Sequence, residues 1–404
     1  MSRVLGLEDA KNVLNEQQIV AAMLENGITK LADENELLLI HDGSDIRKEY
    51  ASQLENLGKV RDLDGDIING YSSFNTIAVD LAGKDVTLLN TEIYSNRSDD
   101  FISQKDLRLV AKPLSKKATP EQSAHYAAIK TKVATATHIN SSIVAKQQIK
   151  KVSAALKKAA PNKMLTHVVD RGGDDNELFT YIAKDLQDKF VIRLKASRVS
   201  EQDEKKDSEK LVSKRFTHKQ IKYYSKIQIK SKVYQNASCI VEFGENLSGY
   251  AVVRVQLMTS DGKSVFRAPM LLITNKDVTT VEQAVSIYHI YLKRAKIESV
   301  FKFLKEVLGW EESQIRDFKA IKTILTFCYF VAGYFYEIES ALIENEVIKF
   351  IAYLGNGKGK VTRFYILQGF AKMITKTEVD DAIEEFKITP EQIKQIMQLM
   401  VRGY

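Results

Sequence analysis

The stretch Glu36-Leu37-Leu38-Leu39-Ile40-His41-Asp42-Gly43 reads as a buried β-strand that runs out at a turn. Four consecutive apolar residues suit a strand covered on both faces. The Asp-Gly pair behind them is turn chemistry. Asp42 is thereby expected at the strand end. Strand ends beside loops are where α/β folds set reactive groups, because a side chain there reaches a cleft yet rests on a rigid scaffold.

The flanking sequence supplies the rest of a fold. Upstream, residues 7–30 carry helical periodicity at Val13, Ile19, Val20, Met23 and Leu24, with a stop at Gly27. Downstream, residues 73–80 and 85–94 read as two further strands around a turn at Gly83-Lys84, antiparallel to the first. Residues 120–158 are helix-rich, and the periodic stretch 142–160 ends near Pro161. Leu165 to Val169 makes a fourth strand running into Asp170-Arg171-Gly172-Gly173. A helix is expected from about Asp174, since acidic side chains favour a helix N-terminus. Residues 190–194 make a fifth strand. Residues 200–210 are almost wholly polar and charged, which marks an exposed loop. Alternating residues such as Lys226-Ile227-Gln228-Ile229-Lys230, and the apolar run Ala251 to Val255, give β-structure between 216 and 274. From Val281 the pattern is helical.

The order β-β-β-α-β-α-β, then a β insertion, then a long helix, is that of an RNase H-like α/β fold, a mixed sheet with helices. The expected division is a short helical segment 1–35, a first core segment 36–199, a β-rich insertion subdomain 200–269, a second core segment 270–311, and a helical C-terminal region 312–404 suited to dimerisation.

Composition sets outer limits. The 404 residues carry a net charge of +7 and a pI near 9.0, which fits a polyanionic partner such as DNA without requiring one. Two cysteines, Cys239 and Cys328, make neither a disulfide framework nor a Cys-rich zinc site. The N-terminus shows no signal-peptide pattern, and the longest apolar stretch, Ile324 to Tyr336, is too short to span a bilayer. A cytoplasmic protein with no membrane partner is expected.

Asp42 and Asp170, each at the end of a strand, suit phosphodiester chemistry, in which carboxylate oxygens hold Mg²⁺ or Mn²⁺. Each alone also reads as a turn or helix cap. The segment around residue 298 adds to the case. On one continuous helix Tyr291, Arg294, Glu298 and Lys305 fall at roughly 0°, 300°, 340° and 320° around the axis. The apolar Ile297, Val300, Phe303 and Leu304 fall opposite. One face therefore packs inward, and the other presents a carboxylate between two cations and a phenol. Such a face suits a metal ligand beside phosphate-binding groups, and equally a solvated face with helical ion pairs.

Tyr291-x2-Arg294-x3-Glu298-x6-Lys305 resembles the YREK signature of insertion-sequence-4-type (IS4-family) DDE transposases at every spacing. Asp42-Gly43-Ser44 and Asp170-Arg171-Gly172-Gly173-Asp174 resemble that family's first and second aspartate motifs. Met270-Leu271-Leu272-Ile273-Thr274 resembles the strand ahead of its glutamate helix. The resemblance spans residues 36–310. It implies an RNase H-like catalytic core with Asp42, Asp170 and Glu298 as catalytic ligands of two divalent ions, Mg²⁺ or Mn²⁺. It further implies Tyr291, Arg294 and Lys305 on DNA phosphates, and cut-and-paste transposition of double-stranded DNA by a homodimer. Met270 stands where some relatives carry a base-stacking tryptophan. Only residues 1–35 precede the first strand, where relatives carry a DNA-binding region, so end recognition is expected to be built differently or the frame to be a shortened copy. A catalytically inactive DNA-binding derivative, and an RNase H-like nuclease without strand transfer, are the alternative functions.

Other candidates weigh less. Asp45 competes with Asp42 as ligand. His41 and His167 read as packing residues, with His167 on the strand face opposite Asp170. The lysine-rich stretches 146–158 and 205–232 are open to a DNA-backbone role or to solvated faces. Gly355 to Lys360 lacks the spacing of a phosphate loop and reads as a basic turn.

Overall fold

The structure, a computed structural model, describes residues 15–386 except 116, 135–138, 196–215, 217, 230–231 and 248, together with residue 389. The expected helix start at 7–14 and the charged stretch 200–210 lie outside the described residues. The chain divides into two compact units, Met1–Ala332 and Gly333–Tyr404.

In the first unit, α1 (Glu16–Lys30) is opened by reciprocal bonds between Asn15 and Gln18, which satisfy two orphan amides at the helix start. Four strands follow: β1 (Glu36–Arg47), β2 (Gly58–Arg61), β3 (Ile67–Val79) and β4 (Val86–Tyr94). After α2 (Gln104–Val110), α3 (Pro120–Ala134) and α4 (Ser141–Ala159) come β5 (Met164–Val169), α5 (Asn176–Thr180) and β6 (Lys189–Arg193). Then follow β7 (His218–Ile229), β8 (Lys232–Leu247), β9 (Tyr250–Met258), β10 (Met270–Thr274), α6 (Val281–Leu292) and α7 (Ala295–Glu306), and α8 (Phe318–Leu342) begins in this unit and runs past its end at Ala332. One mixed sheet runs β2-β3-β1-β5-β6-β10-β9-β8-β7, with β4 also on β3. β1 is antiparallel to β3 and parallel to β5, and β5 is parallel to β6. This is the RNase H-like α/β arrangement expected from the element order.

Burial explains the unbroken apolar runs. Leu37 and Leu39 pack with Leu24 and Leu31 around α1 and with Val152 and Leu156 of α4. Leu38 and Ile40, in the opposite phase, are also fully buried, so β1 is covered on both faces. Towards the site, Val144, Ile149, Leu178 and Ile182 pack on Val169, Phe190 and Ile192.

The structure corrects three expectations. First, β1 does not stop at Asp42. Its parallel pairing ends at His41↔Val169, while antiparallel pairing with β3 continues to Arg47↔Gly70. Asp42 lies where one neighbour ends and the other goes on. Second, the segment from 281 is not one helix. Lys293 and Arg294 make a tighter turn, with Arg294 N–H donating to Tyr291 O at 3.0 Å and Ile297 N–H to Arg294 O at 3.1 Å. Third, α8 is longer than the apolar stretch 324–336. Phe318–Ser340 is long and apolar enough to cross a membrane by length and composition, and it is partly buried. Tyr329 in it is fully buried and donates to Thr76 O of β3 at 3.1 Å.

The strands β7–β9 continue the core sheet through β10, where Leu272 pairs with Arg193 on one side and Val253 on the other. In the second unit, α9 (Glu346–Leu354) and α10 (Arg363–Phe386) approach closely enough that a Cβ at Gly369 would sit 1.9 Å from Ile351 O. Residues 355–360 join these helices. No strand precedes them, so the phosphate-loop context is missing.

A buried polar chain ties the central strands together. Thr76 Oγ1 lies 2.8 Å from His41 Nδ1, His41 Nε2 lies 2.9 Å from His167 Nδ1, and His167 Nε2 lies 3.0 Å from Asp188 Oδ2. Ser153 and Lys157 of α4 complete the Asp188 shell at 2.6 Å each. Both histidines are fully buried, as packing residues should be, but they are also bonded to each other. Burial alone would raise the Asp188 pKa; the bonds from His167, Lys157 and Ser153 outweigh it and hold the carboxyl below its ordinary value. A depressed carboxyl contributes stability that is present above the unfolded-state pKa and lost as pH falls through the folded one. Asp188→Ala is therefore expected to cost about 3–5 kcal/mol at neutral pH, and its deficit against wild type should shrink below about pH 4. Urea unfolding at several pH values measures both; an unchanged midpoint at pH 7 would contradict the assignment.

Candidate active site

Adjacent registers bring the two aspartates together. Because His41 pairs with Val169, Asp42 and Asp170 are the next residues on neighbouring strands. Asp170 closes β5 and turns the chain, its Oδ1 accepting Gly172 N–H at 2.7 Å. A Cβ on Gly172 would lie 2.8 Å from that same oxygen, so glycine lets the carboxylate sit there. Asp175, not Asp174, caps α5, accepting Glu177 N–H at 2.9 Å; Asp174 accepts Lys195 N–H at 2.8 Å.

Glu298 arrives on the first turn of α7. Arg294, just before that helix, reaches both sides: Nη1 to Asp42 Oδ2 and Nη2 to Glu298 Oε1, each 2.5 Å. Burial raises the Asp42 carboxyl to about 7; the Arg294 charge lowers it, and the Asp170 and Glu298 charges add to the rise. Burial works against the Arg294 charge, but Asp42, Tyr291, Glu298 and Asp170 outweigh it and hold the guanidinium above its usual range. Arg294 thus bridges Asp42 and Glu298, and Asp170 acts on it through its charge.

Asp45 faces elsewhere. Its Oδ2 accepts Arg61 N–H at 3.2 Å and its Oδ1 accepts from Ser72 at 3.4 Å. An odd separation along a strand puts Asp45 and Asp42 on opposite faces.

Of the four residues expected on one stripe, Tyr291, Arg294 and Glu298 line one cavity despite the turn at 293–294, and Lys305 does not. Tyr291 is buried at 4% exposure, and burial, opposed by Arg294 and Arg193, raises its phenol pKa. It lines a cavity of about 260 Å³ with Arg193, Gln228, Met270, Arg294 and Glu298. Asp42 and Asp170 line a separate cleft of about 740 Å³ that also holds Lys146, Lys195 and Arg108. Arg294 and its two carboxylate partners join the two spaces. Lys305 points away from both, donating to Asp45 O at 2.5 Å and pairing with Glu311 Oε1 at 3.2 Å.

Two participants gave no sequence signal. Glu311 also holds Arg47 at the end of β1, at 2.7 Å, and so links that strand to Lys305 on α7. Arg193, at the end of β6, reaches Tyr291 across the small cavity. Both contacts join residues distant in the chain, and neither lies in a motif. The lysines of 146–158 serve structural pairs where they are engaged: Lys146 with Glu177 at 2.7 Å, and Lys157 with Asp188.

The donor set is one of hard carboxylate oxygens, which suits Mg²⁺ or Mn²⁺. Among the described residues, no three Asp, Glu, His or Cys side chains are spaced to hold one ion. The guanidinium lies between Asp42 and Glu298, so ion binding by that pair requires Arg294 to turn aside.

A family model described as "Transposase DDE domain" matches residues 116–332, more than half of the chain. The match takes in Asp170, Tyr291, Arg294, Glu298 and Lys305 and stops short of Asp42. The chain has no match among the curated proteins compared with it. With its RNase H-like sheet and a matched span that covers more than half of its length, this chain belongs to the DDE transposase family.

Proposed function

We propose that the chain is an IS4-type transposase that cuts and rejoins double-stranded DNA at insertion-sequence ends by a cut-and-paste route, with Asp42, Asp170 and Glu298 as its catalytic carboxylates. The observation that carries this reading is the bridge that Arg294 makes from Asp42 of β1 to Glu298 of α7, with Asp170 next to Asp42 by strand register. Carboxylates beside a cleft attract cations and repel a bare phosphate, which supports a role in holding metal ions. Two divalent ions held there would activate the attacking oxygen and stabilise the leaving one.

The chain's own groups divide the remaining tasks. Arg294 neutralises Asp42 and Glu298, and on turning aside offers a planar, bidentate donor to a phosphate. Tyr291 and Lys305 are the further phosphate contacts of this reading. Lys305 exchanges the Asp45 carbonyl and Glu311 for DNA. The β-rich segment 200–269 is the insertion within the catalytic core, and a homodimer joins the two element ends.

The reading is tested with the DNA flanking this gene, in Mg²⁺ or Mn²⁺. Wild type should cut at a specific position and join the product to target DNA. Asp42→Ala, Asp170→Ala and Glu298→Gln should each lose cleavage by about a hundredfold or more while keeping DNA affinity. Binding with no cleavage in either metal would favour the inactive derivative, and cleavage with no joining the nuclease.

Arg294→Ala leaves the three carboxylates without their internal cation. It should lower stability by about 1–3 kcal/mol. Added Mg²⁺ should raise its melting temperature more than that of wild type, because a bound ion replaces the lost charge. Equal shifts in the two proteins would contradict the role given to the guanidinium.

A further inference from the structure

We propose that the side of β7 facing α6, marked by Lys222 and Lys226, is a binding track for the sugar–phosphate backbone of DNA leading away from the Glu298 cavity; the inference rests on the transposase reading above. Even-numbered residues of β7 share one face, since strand side chains alternate. That face is fixed by two contacts. Gln228 lines the same cavity as Tyr291, Arg294 and Glu298. Tyr224 lies with its hydroxyl 3.4 Å from His289 Nε2 of α6. Lys226 and Lys222 belong to this row, and both are exposed.

The row has a direction. At about 3.3 Å per residue, Lys226 is roughly 7 Å and Lys222 roughly 20 Å along the strand from Gln228. Both lysines therefore follow Gln228 along one row of the strand. Their partners across β8, Gln235 and Cys239, are uncharged, so no carboxylate on that strand is directly opposite either lysine. Backbone phosphates are what such a line of cations recognises, and it imposes no base sequence.

The other face of the hairpin supplies a matched control. Lys219, opposite Glu242, and Lys232, opposite Ile229, are exposed and project on the odd-numbered side. Lysines on an edge strand also discourage strand-to-strand association, and they do so from either face. Phosphate binding along one track depends on the face.

The experiment measures duplex affinity of the full chain across a salt series, with the gene-flanking DNA as probe. Each phosphate contact contributes about 0.9 to the slope of log K against log salt. Lys222→Gln/Lys226→Gln should lower the slope by about 1.8. Lys222→Arg/Lys226→Arg should keep it, and Lys219→Gln/Lys232→Gln should leave it as in wild type. Melting temperatures of all three double variants check that they fold. A slope unchanged in the first variant, or reduced equally in the first and third, overturns the track and leaves the transposase reading standing. A wild type that binds no duplex DNA overturns both.

Discussion

Asp42 and Glu298 would repel each other, and the guanidinium of Arg294, bonded to both, is what holds them together. Two like charges ~4 Å apart cost about 4 kcal/mol at an effective dielectric near 20. A cation bonded to two of them reverses that sign. The tight turn at 293–294 places Arg294 for this purpose: it ends α6 and opens α7, so one side chain reaches β1 while α7 presents Glu298 one turn later. Tyr291 is sunk into the wall of the cavity that Glu298 also lines, while Glu298 stays partly open.

The backbone constraint beneath this arrangement is the register of β1 against β5. Pairing stops at His41↔Val169, and the next residue on each strand is an aspartate. The same registers place His41 against His167 on the buried side, where Thr76 and Asp188 close the chain. Polar groups so deeply buried must all be satisfied together, and a slip of one residue would break every bond in the chain. The histidine chain and the carboxylates thus depend on one alignment, although they lie on opposite sides of the strands.

A second tie works from the far end of α7. Glu311 holds Arg47 of β1 and Lys305 of α7, and Lys305 also bonds the carbonyl of Asp45. Glu298 is therefore set against Asp42 by Arg294 at one end of its helix and by Glu311 near the other. Lys305 is thereby engaged in structural contacts with both β1 and Glu311.

Much of this was written in the chain itself. Buried strands show as the apolar runs Leu37–Ile40 and Leu165–Val169, because a strand covered on both faces excludes polar residues. The strand and helix order identified the RNase H-like sheet, since hydrophobic period and turn chemistry are local properties. The spacing of Tyr291, Arg294, Glu298 and Lys305 pointed to the segment that carries part of the candidate site. Tertiary structure decided the rest. Asp42 was separated from Asp45 by strand pairing, and the turn at 293–294 appears in no periodicity. Glu311 and Arg193 act across long stretches of chain, and the histidines pair through a register that neither strand encodes alone. The physical reason is common to all of these. Hydrogen bonds and ion pairs between residues far apart in sequence depend on where the backbone brings them, and composition or period within a single segment carries no record of the partner.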